Sequence, residues 1–138
     1  MIAPLFMLDT DTCIFLMRGA SPTLAAKVQS IPLQQQVMSA VTFAELTYGV
    51  QASATAKRKQ NQAVLDRLAL HLAVLDWPRE AAQHHGEIRV DLKRKGAQLG
   101  AADLMIAAHA RVMAAIVVTN NTKDFGRVKG LRVENWTK

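Results

Sequence analysis

The chain contains a single cysteine, Cys13, so it can form no internal disulfide and offers nothing from which to build a thiolate zinc site. A reducing cytoplasm suits such a sequence. Aromatic residues make up only 5% of it, which argues against a platform on which unpaired bases would stack. Contact with a nucleic acid would lean on phosphates instead. Long hydrophobic runs are also missing: residues 1–8 and 112–118, the longest, cannot cross a bilayer as a helix. Residues 1–8 lack the basic leader and small-residue cleavage site of an export signal, so the expectation is a soluble, cytoplasmic protein with no membrane attachment. No repeat, low-complexity stretch or Pro, Gly or Ser-rich linker divides the 138 residues, which sets the expectation of one domain over residues 1–138. Acidic residues are outnumbered, 11 Asp and Glu against 17 Lys and Arg, giving a formal charge of +6 and a pI near 9.9. A polyanionic partner fits that balance.

What is present reads as alternating strands and helices. Leu5-Phe6-Met7-Leu8 is a continuous apolar run ending at Asp9, the pattern of a strand buried on both faces of a parallel sheet. Val37-Met38 before Ser39, Leu72-Ala73-Val74-Leu75 before Asp76, and Ile116-Val117-Val118 before Thr119 repeat it. A last strand is expected at Leu131-Arg132-Val133, after the Lys129-Gly130 turn. Helical stretches fall near 11–18, 21–29, 42–52, 56–71, 78–95 and 103–114. Together these predict an α/β fold with a central parallel sheet flanked by helices. In such sheets ligands bind outside the carboxyl ends of the strands, where strand order reverses, and that edge is where Asp9, Ser39 and Thr119 should lie.

Three carboxylates belong to that edge. Asp9 directly follows a buried strand and is either a helix cap or a rigidly held functional acid. Glu45 stands one turn into the helix after the second strand, where Thr42-x-x-Glu45 also fits a capping box. Asp103 precedes Leu104-Met105-Ile106-Ala107-Ala108, a helix apolar enough to be central, so its charge would be partly enclosed and in need of a cation. Asp11 fits a first-turn acid favoured by the helix dipole. Thr119-Asn120-Asn121 reads as a polar loop, either a plain turn or a source of neutral oxygens beside the acids. Converging carboxylates repel one another unless a cation neutralises them, and hard oxygen donors without a Cys or His cluster suit Mg2+ or Mn2+. An acidic centre inside a basic rim suits phosphodiester hydrolysis.

With these residues in view, the chain resembles the PIN-domain ribonucleases, and most closely the VapC-type toxins of bacterial toxin–antitoxin modules. The resemblance is carried by Met7-Leu8-Asp9-Thr10, by Ser39-Ala40-Val41-Thr42-x-Ala44-Glu45-Leu46-x-Tyr48-Gly49, by Asp103-Leu104-x-Ile106-Ala107-Ala108-His109-Ala110, and by Val118-Thr119-Asn120-Asn121-Thr122-x-x-Phe125 with Gly130-Leu131-x-Val133-Glu134-Asn135-Trp136. It spans almost the whole chain. It implies a three-layer PIN-like domain in which Asp9 and Asp103 hold metal and Glu45 is the second acid, a metal ligand or the base that orients water. The family's fourth acidic position falls on Asn121, which would hold water or substrate. Asp11 stands where the family more often has Asn, and Asp124 lies three residues beyond the fourth position. The resemblance further implies a metal-dependent endoribonuclease that cuts structured RNA, tRNA or rRNA, and so inhibits translation. It implies a homodimer and a cognate antitoxin protein as well.

Two other readings of the same residues stand beside this one. Leu8-Asp9-Thr10-Asp11-Thr12 matches the motif of haloacid-dehalogenase-like phosphatases, with Asp9 as nucleophile, but the later strand ends in Thr119-Asn120-Asn121 instead of an acidic pair. In a non-catalytic RNA- or partner-binding module the acids would be caps and the basic charge would do the binding. Lys57-Arg58-Lys59 reads as a solvated helix face, and Lys93-Arg94-Lys95 as a helix end or a phosphate contact. Neighbouring His84 and His85 point about 100° apart on a helix and cannot share a metal. His109 is expected to be a hydrogen-bonded core residue, and Cys13 to be buried behind the first strand.

Overall fold

The computed structural model describes residues 2–138; Met1, the first residue of the apolar run 1–8, lies outside the described residues. The elements follow in the order β1 (Phe6–Leu8), α1 (Thr10–Arg18), α2 (Pro22–Ser30), a 3-10 turn (Leu33–Gln35), β2 (Gln36–Ser39), α3 (Ala40–Ala52), α4 (Thr55–His71), β3 (Ala73–Leu75), α5 (Ala81–Arg94), α6 (Ala101–Val112), β4 (Ile116–Val118), α7 (Thr122–Phe125) and β5 (Arg132–Glu134). The strands form one parallel sheet in the order β3-β2-β1-β4-β5. Chain order therefore runs outward from β1 in both directions. The switch point lies between β1 and β4, whose carboxyl ends carry Asp9 and Thr119.

Side-chain alternation along the strands builds two cores. Met7, Val37 and Val117 face a cluster with Ile88 and Leu92 of α5 and Ile106 and Ala110 of α6. Phe6, Leu8, Met38, Ile116 and Val118 face the other way, against Cys13, Leu24, Leu46 and Leu65 from helices α1 to α4. Each such side chain contributes about 1.5–3 kcal/mol on full burial. The result is the expected helix–sheet–helix sandwich. No helix among the described residues is long and apolar enough to cross a membrane.

Local signals set the ends of the elements near the site. Asp9 caps α1 by accepting from the Thr12 amide at 2.9 Å, and Gly19 closes that helix with φ +62°, a left-handed conformation that glycine adopts without strain. Ser21 caps α2, with Pro22 at its first turn.

Four expectations need correction. Thr42 and Glu45 form no capping box: Ser39 caps α3, accepting from the Val41 amide at 3.1 Å, and Thr42 is buried inside the helix. Helix α5 starts at Ala81 and not at residue 78, because Pro78 and Arg79 turn the chain after Trp77, whose indole is anchored on the Met105 carbonyl at 2.9 Å. The third strand lies at a sheet edge and is half-exposed, although Val74 and Leu75 each pack against one of the two cores. Finally, the polar loop after β4 contains the short helix α7, held in place by fully buried Phe125.

Candidate active site

The sheet edge at the β1/β4 switch point gathers acids from five elements. Asp9 comes from the end of β1, Asp11 from the first turn of α1, Glu45 from α3 and Asp103 from the first turn of α6, with Asp124 reaching in from α7. Asp9 is 2% exposed. Its carboxyl is held above the ordinary range by burial, with Asp11 adding to the rise, while Thr119 and Thr12 favour the anion and act in the opposite direction. Cap and candidate site residue are thus the same side chain.

Asp103 makes no capping bond, since Gly100 occupies the cap position of α6. It is half-buried, and its carboxyl is pushed up to about 6, first by burial and then by the negative charge of Asp9, Asp11, Glu45 and Asp124. No Lys or Arg is among the groups that set this value. In a chain of net charge +6, that concentration of unbalanced negative charge is a property of the place and not of the composition.

Glu45 is exposed, and its Oε1 accepts from the Thr10 hydroxyl at 2.5 Å. Thr10 follows Asp9 directly, so the first turn of α1 supplies one acid and orients another. This pairing depends on the packing of α1 against α3, which the sequence does not display.

Asn121 sits at the start of α7, its backbone amide donating to the Thr119 hydroxyl at 2.9 Å and its side-chain amide to Asp124 Oδ2 at 3.1 Å. Asp124 therefore belongs to the periphery of the site through Asn121, and it also faces Arg127 at 3.8 Å.

The donor set can be compared with what a divalent ion requires. The carboxylates of Asp9 and Asp103, set on rigid elements and raised in proton affinity first by burial and then by neighbouring negative charge, have the chemistry that Mg2+ or Mn2+ selects. Among the described residues no group of three His, Cys, Asp or Glu side chains is drawn together tightly enough to grip one ion as it stands.

Other candidates fall outside the site. His84 Nδ1 accepts from Arg111 Nε at 2.8 Å, and His85 packs edge-on to Trp77. Cys13 is buried, its thiol held far above the ordinary range by its apolar surroundings. Lys95 pairs with Asp91 at 2.7 Å and donates to the Arg127 carbonyl, while Lys93 and Arg94 are exposed. Lys57 and Lys59 are exposed on α4, as a solvated helix face requires.

The fold and site define an α/β sandwich with an acidic cleft at its switch point, and comparison with known proteins names the family to which it belongs. The PIN domain model matches residues 6–131. The chain is 42% identical over 132 residues to the tRNA(fMet)-specific endonuclease VapC of Shigella flexneri, covering 96% of this chain and 98% of the relative. It is 35% identical over 135 residues to ribonuclease VapC2 of Rickettsia felis, covering 97% and 99%. Among solved structures, the DNA-bound VapBC complex of Salmonella typhimurium matches with a TM-score of 0.89 and 38% identity, over 97% of this chain and 99% of that one. The chain belongs to the PIN-domain family, within its branch of VapC ribonucleases, the toxins of toxin–antitoxin modules.

Proposed function

We propose that the chain is a Mg2+-dependent endoribonuclease, able to use Mn2+, that hydrolyses structured RNA and thereby inhibits translation. The observation that carries this reading is the convergence of Asp9, Asp11, Glu45 and Asp124 on half-buried Asp103, whose carboxyl is pushed up to about 6 first by burial and then by their charge, with no salt bridge to it among the described residues. When bound, the ion supplies Lewis acidity and offsets the negative charge that develops during phosphodiester hydrolysis.

The protein's part is positioning. Asp9 and Asp103 hold the ion, Asp9 from a cap that fixes its carboxylate and Asp103 from the buried helix α6. Glu45, with one oxygen taken by Thr10, has the other available to complete the ligand set or to accept a proton from the attacking water. Asn121, anchored through its amide nitrogen to Asp124, presents its amide oxygen to water or substrate. Exposed Lys93 and Arg94 are candidates for flanking phosphates.

The endonuclease of Shigella flexneri is specific for tRNA(fMet), and at 42% identity an initiator tRNA is the first substrate to test, with rRNA second. The chain works as one nuclease domain in the cytoplasm, where these RNAs are found. The VapBC complexes among its structural relatives support an antitoxin partner. A groove of about 430 Å3 bordered by Ile14, Met17, Leu46 and Val64 opens beside Arg18 and Glu45, and it suits a partner segment that is apolar with a polar end. We assign the active form as a homodimer, and sedimentation of the antitoxin-free toxin tests this.

Incubation of total RNA with the purified protein, followed by end mapping, tests the function. Discrete new ends in one tRNA or rRNA are expected. Intact RNA with folded, antitoxin-free protein would favour the binding module instead.

A further inference from the structure

Helices α6 and α3 each carry one acid of the site, and a buried hydrogen bond ties α6 to the β2–α3 junction. His109 lies less than two turns beyond Asp103 on α6 and is 0% exposed. Its Nδ1 is 2.8 Å from Oγ of Ser39, the equally buried last residue of β2. That same Oγ accepts from the Val41 amide at 3.1 Å and so starts α3, the helix that carries Glu45. We assign the Ser39 hydroxyl as donor to His109 Nδ1, with the ring proton on Nε2, because the hydroxyl has no other acceptor among the described residues. The opposite tautomer would leave the hydroxyl proton without an acceptor as well. Nε2 has no protein partner. A leucine of similar bulk would pack into this apolar helix without an unpaired buried nitrogen, so the imidazole contributes something that packing alone does not require.

We propose that His109, acting through Ser39, is a positioning residue that locks α6 against the start of α3 and so fixes Asp103 and Glu45 in relation to one ion and one scissile phosphate. This rests on the metal-dependent nuclease reading. Helices α3 and α6 pack directly on each other, so the bond works within an existing contact and sets its register. Removing a group hydrogen-bonded directly to a metal ligand typically changes metal affinity or activity by about 10–100-fold, which sets the upper scale for a bond that touches neither carboxylate and acts on Asp103 and Glu45 through their helices.

The test uses the full-length protein with His109→Leu, His109→Asn and Ser39→Ala, each checked for folding by circular dichroism. Calorimetric titration with Mg2+ alone is read beside kcat and KM on a cleavable RNA. The Leu variant is expected to bind Mg2+ about tenfold more weakly and to lose about 10–100-fold in kcat, with KM within about twofold. The Asn variant, whose amide oxygen can accept from Ser39, should recover to within about threefold of wild type. A folded Leu variant with wild-type affinity and kcat overturns the proposal, as does an Asn variant as impaired as Leu, since that assigns the role to ring volume. If the Leu variant does not fold, Ser39→Ala must show the same two losses, and wild-type values there overturn the proposal. Absence of Mg2+ binding by the wild type would instead refute the metal reading itself, and it is seen before any substitution is compared.

Discussion

Asp103→Asn separates what the site does for the fold from what it does for chemistry. The substitution keeps the shape of the side chain and removes its charge. A carboxyl moved from 3.8 to about 6 on folding is one that the folded state prefers protonated, so ionised Asp103 opposes folding. At neutral pH the full effect of that displacement is about 3 kcal/mol, and because Asp103 is only half-buried, solvent screening reduces it to about 1–2 kcal/mol. The stabilising contribution of the protonated form is present below the unfolded value near 3.8 and is lost as pH rises through about 6. Asp103→Asn should therefore raise the midpoint of thermal unfolding in EDTA at pH 7.5 by about 3–8 °C. About a third of the gain should remain at pH 4.5, where most folded molecules already carry the proton. Mg2+ should reverse the order, stabilising wild type and leaving the variant unchanged. A variant that melts lower than wild type in EDTA at pH 7.5, or whose advantage grows on acidification, would refute the electrostatic account of the site.

Other substitutions test its separate parts. Asp9→Asn keeps the cap of α1, since Asn caps as well as Asp, and should abolish cleavage without loss of stability; Asp9→Ala should abolish cleavage and also cost about 1 kcal/mol in denaturant unfolding. Thr10→Val removes the hydroxyl that orients Glu45 and should lower kcat about tenfold with an unchanged melting profile, measured on the same RNA. Phe125→Ala empties a fully buried position beneath α7 and should cost about 3–5 kcal/mol, read by chemical denaturation.

Much of this protein is legible in its sequence because buried strands leave plain marks. The apolar runs at β1 and β4 end at Asp9 and Thr119, and alternation with helices implies the parallel sheet whose switch point then brings those two ends together. Asp103 is legible for a related reason: a carboxylate opening so apolar a helix needs an explanation. Glu45 shows the limit. Its spacing from Thr42 imitates a cap, and only the packing of α1 on α3, which no local pattern encodes, turns it toward Thr10. Helix α7 was hidden because four residues are too few for a periodic signal, so Phe125 in a polar run was its one trace. The link of Asp124 to the site runs through the first turn of the same short helix, by way of Asn121, and is equally invisible to local pattern.

The central claim is that an ion held by Asp9 and Asp103 is required for RNA hydrolysis, and cleavage of a mapped RNA by wild type, Asp9→Asn and Asp103→Asn in Mg2+, Mn2+ and EDTA tests it most directly. Site-specific cuts by the wild type in Mg2+ or Mn2+, none in EDTA, and none from either folded variant are expected. Equal cutting in EDTA, or undiminished cutting by both variants, would contradict it.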